Sequence, residues 1–241
     1  MTEEPYRWLE AIQNRREYIQ DHLKGATPVF AASRPEGVLL IGVGQGQSKV
    51  FEIYDRHAFA SLGHPVDIEK VRQSAIEAAH MEGFNRSSRD VTLRRLVGFS
   101  LSPTLKNSFE QIFSPPLIVE SLFAELGETP TLDVLVRLHF DGNHHYEPSG
   151  VLLAYSDRKV EGEAQVWLKQ NLRPEQGLRQ VALVLLSAWR AITTHAPFLD
   201  LTPSAELPPL LEGRKIEIAL LDRRSTGPVH YRKLDFPSLP A

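Results

Sequence analysis

Four tight turn signals limit how this chain can pair its strands. They are Ser33-Arg34-Pro35-Glu36-Gly37, Asp55-Arg56, Asp141-Gly142 and Gly227-Pro228. Each lies in a gap of fewer than ten residues between two apolar runs, whereas a parallel neighbour needs a crossover of about a dozen residues or more. The runs they join must therefore pair antiparallel. The spacing predicts strands at 28–32 and 37–43, at 49–54 and 58–62, at 117–126, 132–140 and 150–155, and at 215–221 and 229–234. Asp141-Gly142 reads as a hairpin from 132–140 into 150–155.

Helical periodicity fills the intervals. Leu9, Ile12, Ile19 and Leu23 fall on one face of a helix over 6–23, with Glu3 and Glu4 near its start and Gly25 after its end. Arg16 interrupts that stripe, and a narrow, interrupted stripe suits packing against a neighbouring copy at least as well as against the chain's own core. Ile68, Val71, Ala75 and Ala79 share a face that Gly83 ends. Leu93, Val97, Leu101, Leu105 and Phe109 form a second run, with Asp90 as its expected cap and Pro103 as an expected kink. Two more helices are expected at 161–171 and 174–194, and a proline-rich loop at 196–213.

Hairpins alternating with helix pairs predict an α+β fold, a sandwich of two sheets covered by helices on both outer faces. The 241 residues are 42% apolar, enough for the core of one large domain. No apolar run approaches the ~20 residues of a membrane span. The absence of cysteine excludes disulfides and thiolate metal sites. Mixed charges with a net of −3 give no footprint for nucleic acid or an anionic membrane. The acidic start, Met1-Thr2-Glu3-Glu4-Pro5, lacks an export signal core, so a cytoplasmic location is expected.

The residues by themselves point to no reaction. Gly42-Val43-Gly44-Gln45-Gly46-Gln47 follows a strand but leads into another strand, where a dinucleotide loop would open a helix, so it reads as a flexible turn. His139, His144 and His145 read as turn histidines rather than metal ligands. Nothing calls for a cofactor.

The segment Lys49-Val50-Phe51-Glu52-Ile53-Tyr54-Asp55-Arg56, followed by 57–63, resembles the strand-turn-strand of proteasome alpha subunits, above all the actinobacterial ones. The similarity continues through Phe84, Asp90-Val91-Thr92, Ala124-Glu125-Leu126-Gly127, the stretch 138–142, 216–222 and Tyr231-Arg232-Lys233, spanning about 6–235. Glu52, Tyr54, Asp55 and Arg56 are the core of the motif. The resemblance implies a four-layer αββα sandwich, the N-terminal-nucleophile hydrolase fold, with an extra N-terminal helix. The expected division is a gate segment and helix at 1–25, the αββα domain at 26–235 and a short tail at 236–241. It further implies a seven-membered outer ring of identical copies, catalytic beta-type subunits beneath it, a ring-shaped ATPase or other activator above it, and unfolded proteins in transit.

Within that family, Lys49 matches the lysine that meets the C-terminal carboxylate of a docking activator, a charge-assisted contact. The plainer alternative is an internal salt bridge, for example with Glu52. Gln111, Ile112, Phe113, Ser114, Pro115 and Pro116 match the loop at the ring entrance; the alternative is an ordinary connection with Phe113 buried. Catalysis in this fold requires a threonine with a free amine. Thr27 stands near that position, but Val43 occupies the region where the accompanying carboxylate would lie, Tyr155-Ser156-Asp157 replaces the glycine-serine loop, and a helix precedes Thr27. A non-catalytic subunit is therefore expected. The rival is a hydrolase released by cleavage before Thr27.

Overall fold

The computed structural model describes residues 4–209 and 213–240, with backbone alone at 4–6. Residues 1–3, the start of the gate segment and helix expected at 1–25, thus fall outside the described residues. Six helices are described: α1 Glu4–Leu23, α2 Pro65–Asn85, α3 Leu93–Arg95, α4 Ser102–Glu110, α5 Arg158–Asn171 and α6 Leu178–Thr194. The first five strands are β1 Val29–Arg34, β2 Gly37–Gly44, β3 Val50–Tyr54, β4 His57–Gly63 and β5 Val119–Glu125. The remainder are β6 Val134–Leu138, β7 His144–Tyr146, β8 Val151–Ala154, β9 Lys215–Asp222 and β10 Tyr231–Leu234.

The strands form two five-stranded sheets, ordered β10-β9-β2-β1-β8 and β3-β4-β5-β6-β7, with every pairing antiparallel. Alternation along β1 and β2 builds two cores at once. Phe30, Ala32, Leu39 and Ile41 face α5 and α6, packing on Trp189 and Leu185. Val29, Ala31, Val38 and Leu40 face the second sheet, meeting Ala60, Leu122 and Leu135. The far side of the second sheet, through Phe59, Phe123 and Val136, packs on α2 and the α3–α4 segment. The architecture is the expected four-layer αββα sandwich.

Two local expectations need correction, and the break expected at Pro103 takes a specific form. Asp141-Gly142 turns β6 into the short β7, whereas β8 crosses to the other sheet and pairs with β1. Gly142 adopts φ +82°, and a Cβ there would lie 2.5 Å from the Ser102 carbonyl oxygen, so the turn can rest on α4 only as glycine. Asp90 ends a short 3₁₀ turn, Ser88–Asp90, and Thr92 is the residue that flanks α3. The run over 93–110 is divided by a π-helical stretch, Leu96–Leu101, just ahead of Pro103. Proline has no amide to return to the preceding turn, and the widened ladder carries the chain past that gap.

Helix α1 closes the open end of the sandwich. Ile19 and Leu23 are fully buried in the inter-sheet core and Ile12 is partly buried against it, while Trp8 and Leu9 are exposed. The second half of the stripe therefore packs on the chain's own core, and only the first half is available to a neighbour. At the other end Leu239 is buried against the α5–α6 layer, and the Arg179 amide donates to the Pro240 carbonyl. Among the described residues no helix is long and apolar enough to cross a membrane.

Candidate functional site

Lys49 leads into β3, the edge strand of the second sheet, and its stem crosses β2. A Cβ on Gly42 would approach Lys49 Cβ to 3.0 Å, and one on Gly44 would approach Lys49 Cε to 3.3 Å. The two glycines keep this face of β2 clear for the lysine, a function the flexible-turn reading of 42–47 missed.

The amine ends on Thr27. Lys49 Nζ donates to the Thr27 carbonyl oxygen at 2.8 Å and to Thr27 Oγ1 at 2.7 Å. The Thr27 hydroxyl in turn donates to the Val43 carbonyl. Glu217 of β9 braces the same stretch: its Oε2 accepts from the Lys49 amide at 2.9 Å and from the Val50 amide at 3.2 Å. Tyr231 of β10 donates its hydroxyl to the Val50 carbonyl at 3.2 Å. Burial and the nearby Arg214 pull the Lys49 amine down to about 8, opposed by Glu217. Burial, with Glu217 and Glu52, pushes the Tyr231 phenol up. A cleft of about 320 Å³ opens beside Ser48 and Val50, bounded by Lys215, Glu217, Tyr231 and Lys233.

The expected residues separate into groups. Thr27 and Lys49 are brought together, whereas Glu52 is exposed on β3 and the carboxylate against the Lys49 backbone is Glu217. Sequence spacing could not show this pairing, because 168 residues separate the partners. The Val43 side chain is fully buried in the core shared with α5 and α6.

Tyr54, Asp55 and Arg56 form a structural clasp. Arg56 donates to the Arg89 and Val91 carbonyls at 3.0 and 3.2 Å and lies 3.3 Å from Glu125 Oε1. The Asp55 carbonyl accepts from the His230 amide at 2.9 Å, tying this turn to the β9–β10 connection. Tyr54 packs edge-on against His80 of α2, with ring centroids 5.2 Å apart.

In the loop 111–116, Phe113 is 99% exposed, which removes the reading that buried it. Arg15 of α1 anchors the loop, donating to the Ser114 carbonyl at 2.7 Å and the Ser108 carbonyl at 2.9 Å. Gln111, Ser114 and Pro115 are also exposed, while Ile112 and Pro116 are partly covered. His144 and His145 are exposed as expected, but His139 is not a free turn residue. Its Nδ1 lies 3.0 Å from Glu120 Oε2, and Glu120 also pairs with the buried Arg137 at 2.9 Å. Among the described residues no cluster of His, Asp and Glu is arranged to hold a metal.

No protein-family model matches the chain. It is similar to the proteasome subunit alpha of Geodermatophilus obscurus, 30% identical over 217 residues, covering 89% of this chain and 72% of that protein. It is 32% identical over 217 residues to the proteasome subunit alpha of Actinosynnema mirum, covering 89% and 77%. At 30 and 32% identity over 89% of its length, the chain belongs to the proteasome alpha-subunit family.

Proposed function

We propose that this alpha subunit is non-catalytic, forms a seven-membered outer ring with copies of itself on beta-type subunits, and admits unfolded chains past the 111–116 loop. Its Lys49 cleft receives the C-terminal carboxylate of an ATPase or other ring-shaped activator. The observation that carries this reading is the amine of Lys49 held on Thr27, with a lysine-rimmed cleft opening at the flanking residues Ser48 and Val50. An ammonium has three N–H groups; two go to Thr27, and one remains for an incoming carboxylate. The exposed Trp8 and Leu9 on α1 supply apolar surface for a neighbouring copy.

The test uses particles co-expressed with a catalytic beta-type subunit. A peptide copying an activator tail should speed peptide cleavage when its C-terminus is free and not when it is amidated, and Lys49→Ala should remove the difference. Equal stimulation of Lys49→Ala particles would refute the docking role.

The rival hydrolase draws on one observation, the 2.7 Å contact between Lys49 Nζ and Thr27 Oγ1. Against it, cleavage before Thr27 would remove Ile19 and Leu23 from the inter-sheet core. Burial of such side chains is worth about 1.5–3 kcal/mol each. Loss of residues 1–26 from the intact mass of the purified chain would favour the hydrolase.

A further inference from the structure

We infer that Glu217 is the positioning residue of the Lys49 cleft: it fixes the peptide that carries Lys49 and supplies the counter-charge that keeps the amine cationic for a carboxylate partner. The inference deepens the docking reading and rests on it. Glu217 stands opposite Gly42 in the β2–β9 register. Gly42 has no side chain, so the Glu217 carboxylate can reach the amides of Lys49 and Val50, which it holds with one oxygen at 2.9 and 3.2 Å. A neutral acceptor would serve those two amides. The charge has a second effect, because the amine is also pressed by burial and by Arg214, both of which favour its neutral form. Tyr231 of β10 faces the same spot through its bond to Val50, and Lys215, Lys233 and Asp235 are the other charged side chains lining the cleft. A carboxylate-terminated partner binds the protonated amine and loses that contact once the amine is neutral. Burial and Arg214 thereby set the upper end of the pH range over which docking works, and Glu217 extends it upward.

The experiment follows a fluorescent heptapeptide with a free C-terminal carboxylate, and its amide, binding to assembled particles from pH 6.5 to 9. Wild-type affinity for the free acid should fall as pH rises through about 8. Glu217→Gln keeps an acceptor oxygen for the two amides and removes the charge. Its midpoint should move down from about 8, weakening binding at pH 8 more than binding at pH 6.5. Arg214→Gln leaves both amide contacts in place and should move the midpoint up. The titration of Lys49 itself is read in the same particles from the pH dependence of its labelling by a small acylating reagent, followed by peptide mass spectrometry. Equal binding of acid and amide to wild type would defeat the docking reading, while the labelling midpoints would still test Glu217. Unchanged labelling midpoints in both variants would overturn the inference, because a purely structural brace moves neither.

Discussion

Arg16 Nη1 lies 2.9 Å from Asp141 Oδ2, and the same guanidinium stands 5.1 Å from the Phe109 ring centroid and 5.6 Å from that of Phe140. The residue that interrupts the apolar stripe of α1 is therefore the one that fastens the helix to the β6–β7 turn and to α4. Arg16→Ala should destabilise the chain by about 1.5–3 kcal/mol, the range for a hydrogen bond to a charged group, because the buried Asp141 loses its cationic partner and keeps only its contacts with Asn143. Arg16→Lys should recover part of the loss but not the flat contact with the two rings. Equilibrium denaturation gives the energies, and amide exchange along α1 should rise in step.

The same pair sets an acid limit. Burial opposes the charged Asp141 carboxylate, but the Asn143 amide and Arg16 outweigh it and hold its carboxyl below the ordinary range. A depressed carboxyl contributes stability that is present above its unfolded pKa, about 4, and lost as pH falls through the lower folded value. Between pH 4 and pH 2, wild type should lose more stability than Asp141→Asn, and the excess should shrink in Arg16→Ala, where the Asn143 contacts remain.

Lys49 predicts a trend of the same sign at high pH. Its folded value of about 8 lies below its ordinary one, so the unfolded chain binds the extra proton across the interval between them. The stability contribution is fully present above the unfolded pKa and is lost as pH falls through about 8. Lys49→Met should gain on wild type near pH 7. That gain should shrink as pH rises above 8, by at most about 1.4 kcal/mol per pH unit. Paired melts at pH 7, 8, 9 and 10 read the trend directly.

Much of the layering was legible because tight turns and period-two alternation are local signals, and β1 with β2 follows both. The correction at β7–β8 shows where that logic stops: Asp141-Gly142 states that the chain turns, but which sheet the next strand joins depends on edges supplied by β1, more than a hundred residues earlier. The site was legible only through resemblance. Lys49 stood out by its place in the family motif, yet its partners Thr27 and Glu217 come from other strands, and the space cleared by Gly42 and Gly44 exists only once β3 lies across β2. Arg16 was misread because a charge inside an apolar stripe looks like a gap until its carboxylate is found.

The exposed Phe113 predicts an effect on passage without an effect on folding. Phe113→Asp should change stability by no more than about 0.5 kcal/mol, as for surface substitutions in general. It should alter the rate at which particles degrade an unfolded protein while leaving cleavage of a short peptide unchanged. A destabilised Phe113→Asp chain would show that the loop packs elsewhere in the particle.

Arg15 gives that loop its footing through the Ser108 and Ser114 carbonyls. Arg15→Ala should loosen it and raise amide exchange over 111–116, with little change over β5. Unaltered exchange in the loop would mean that Phe113 is presented without help from α1.

The central claim is that this chain belongs to a proteolytic particle without performing the proteolysis. The most direct measurement is the peptidase activity of particles co-expressed with a beta-type subunit, in two variants. One carries Thr27→Ala in this chain, and the other carries alanine for the N-terminal threonine of the beta-type subunit. The first should retain full activity, since the Thr27 hydroxyl is committed to the Val43 carbonyl, and the second should have none. Activity lost with Thr27→Ala and kept in the other variant would contradict the account and move the chemistry into this chain.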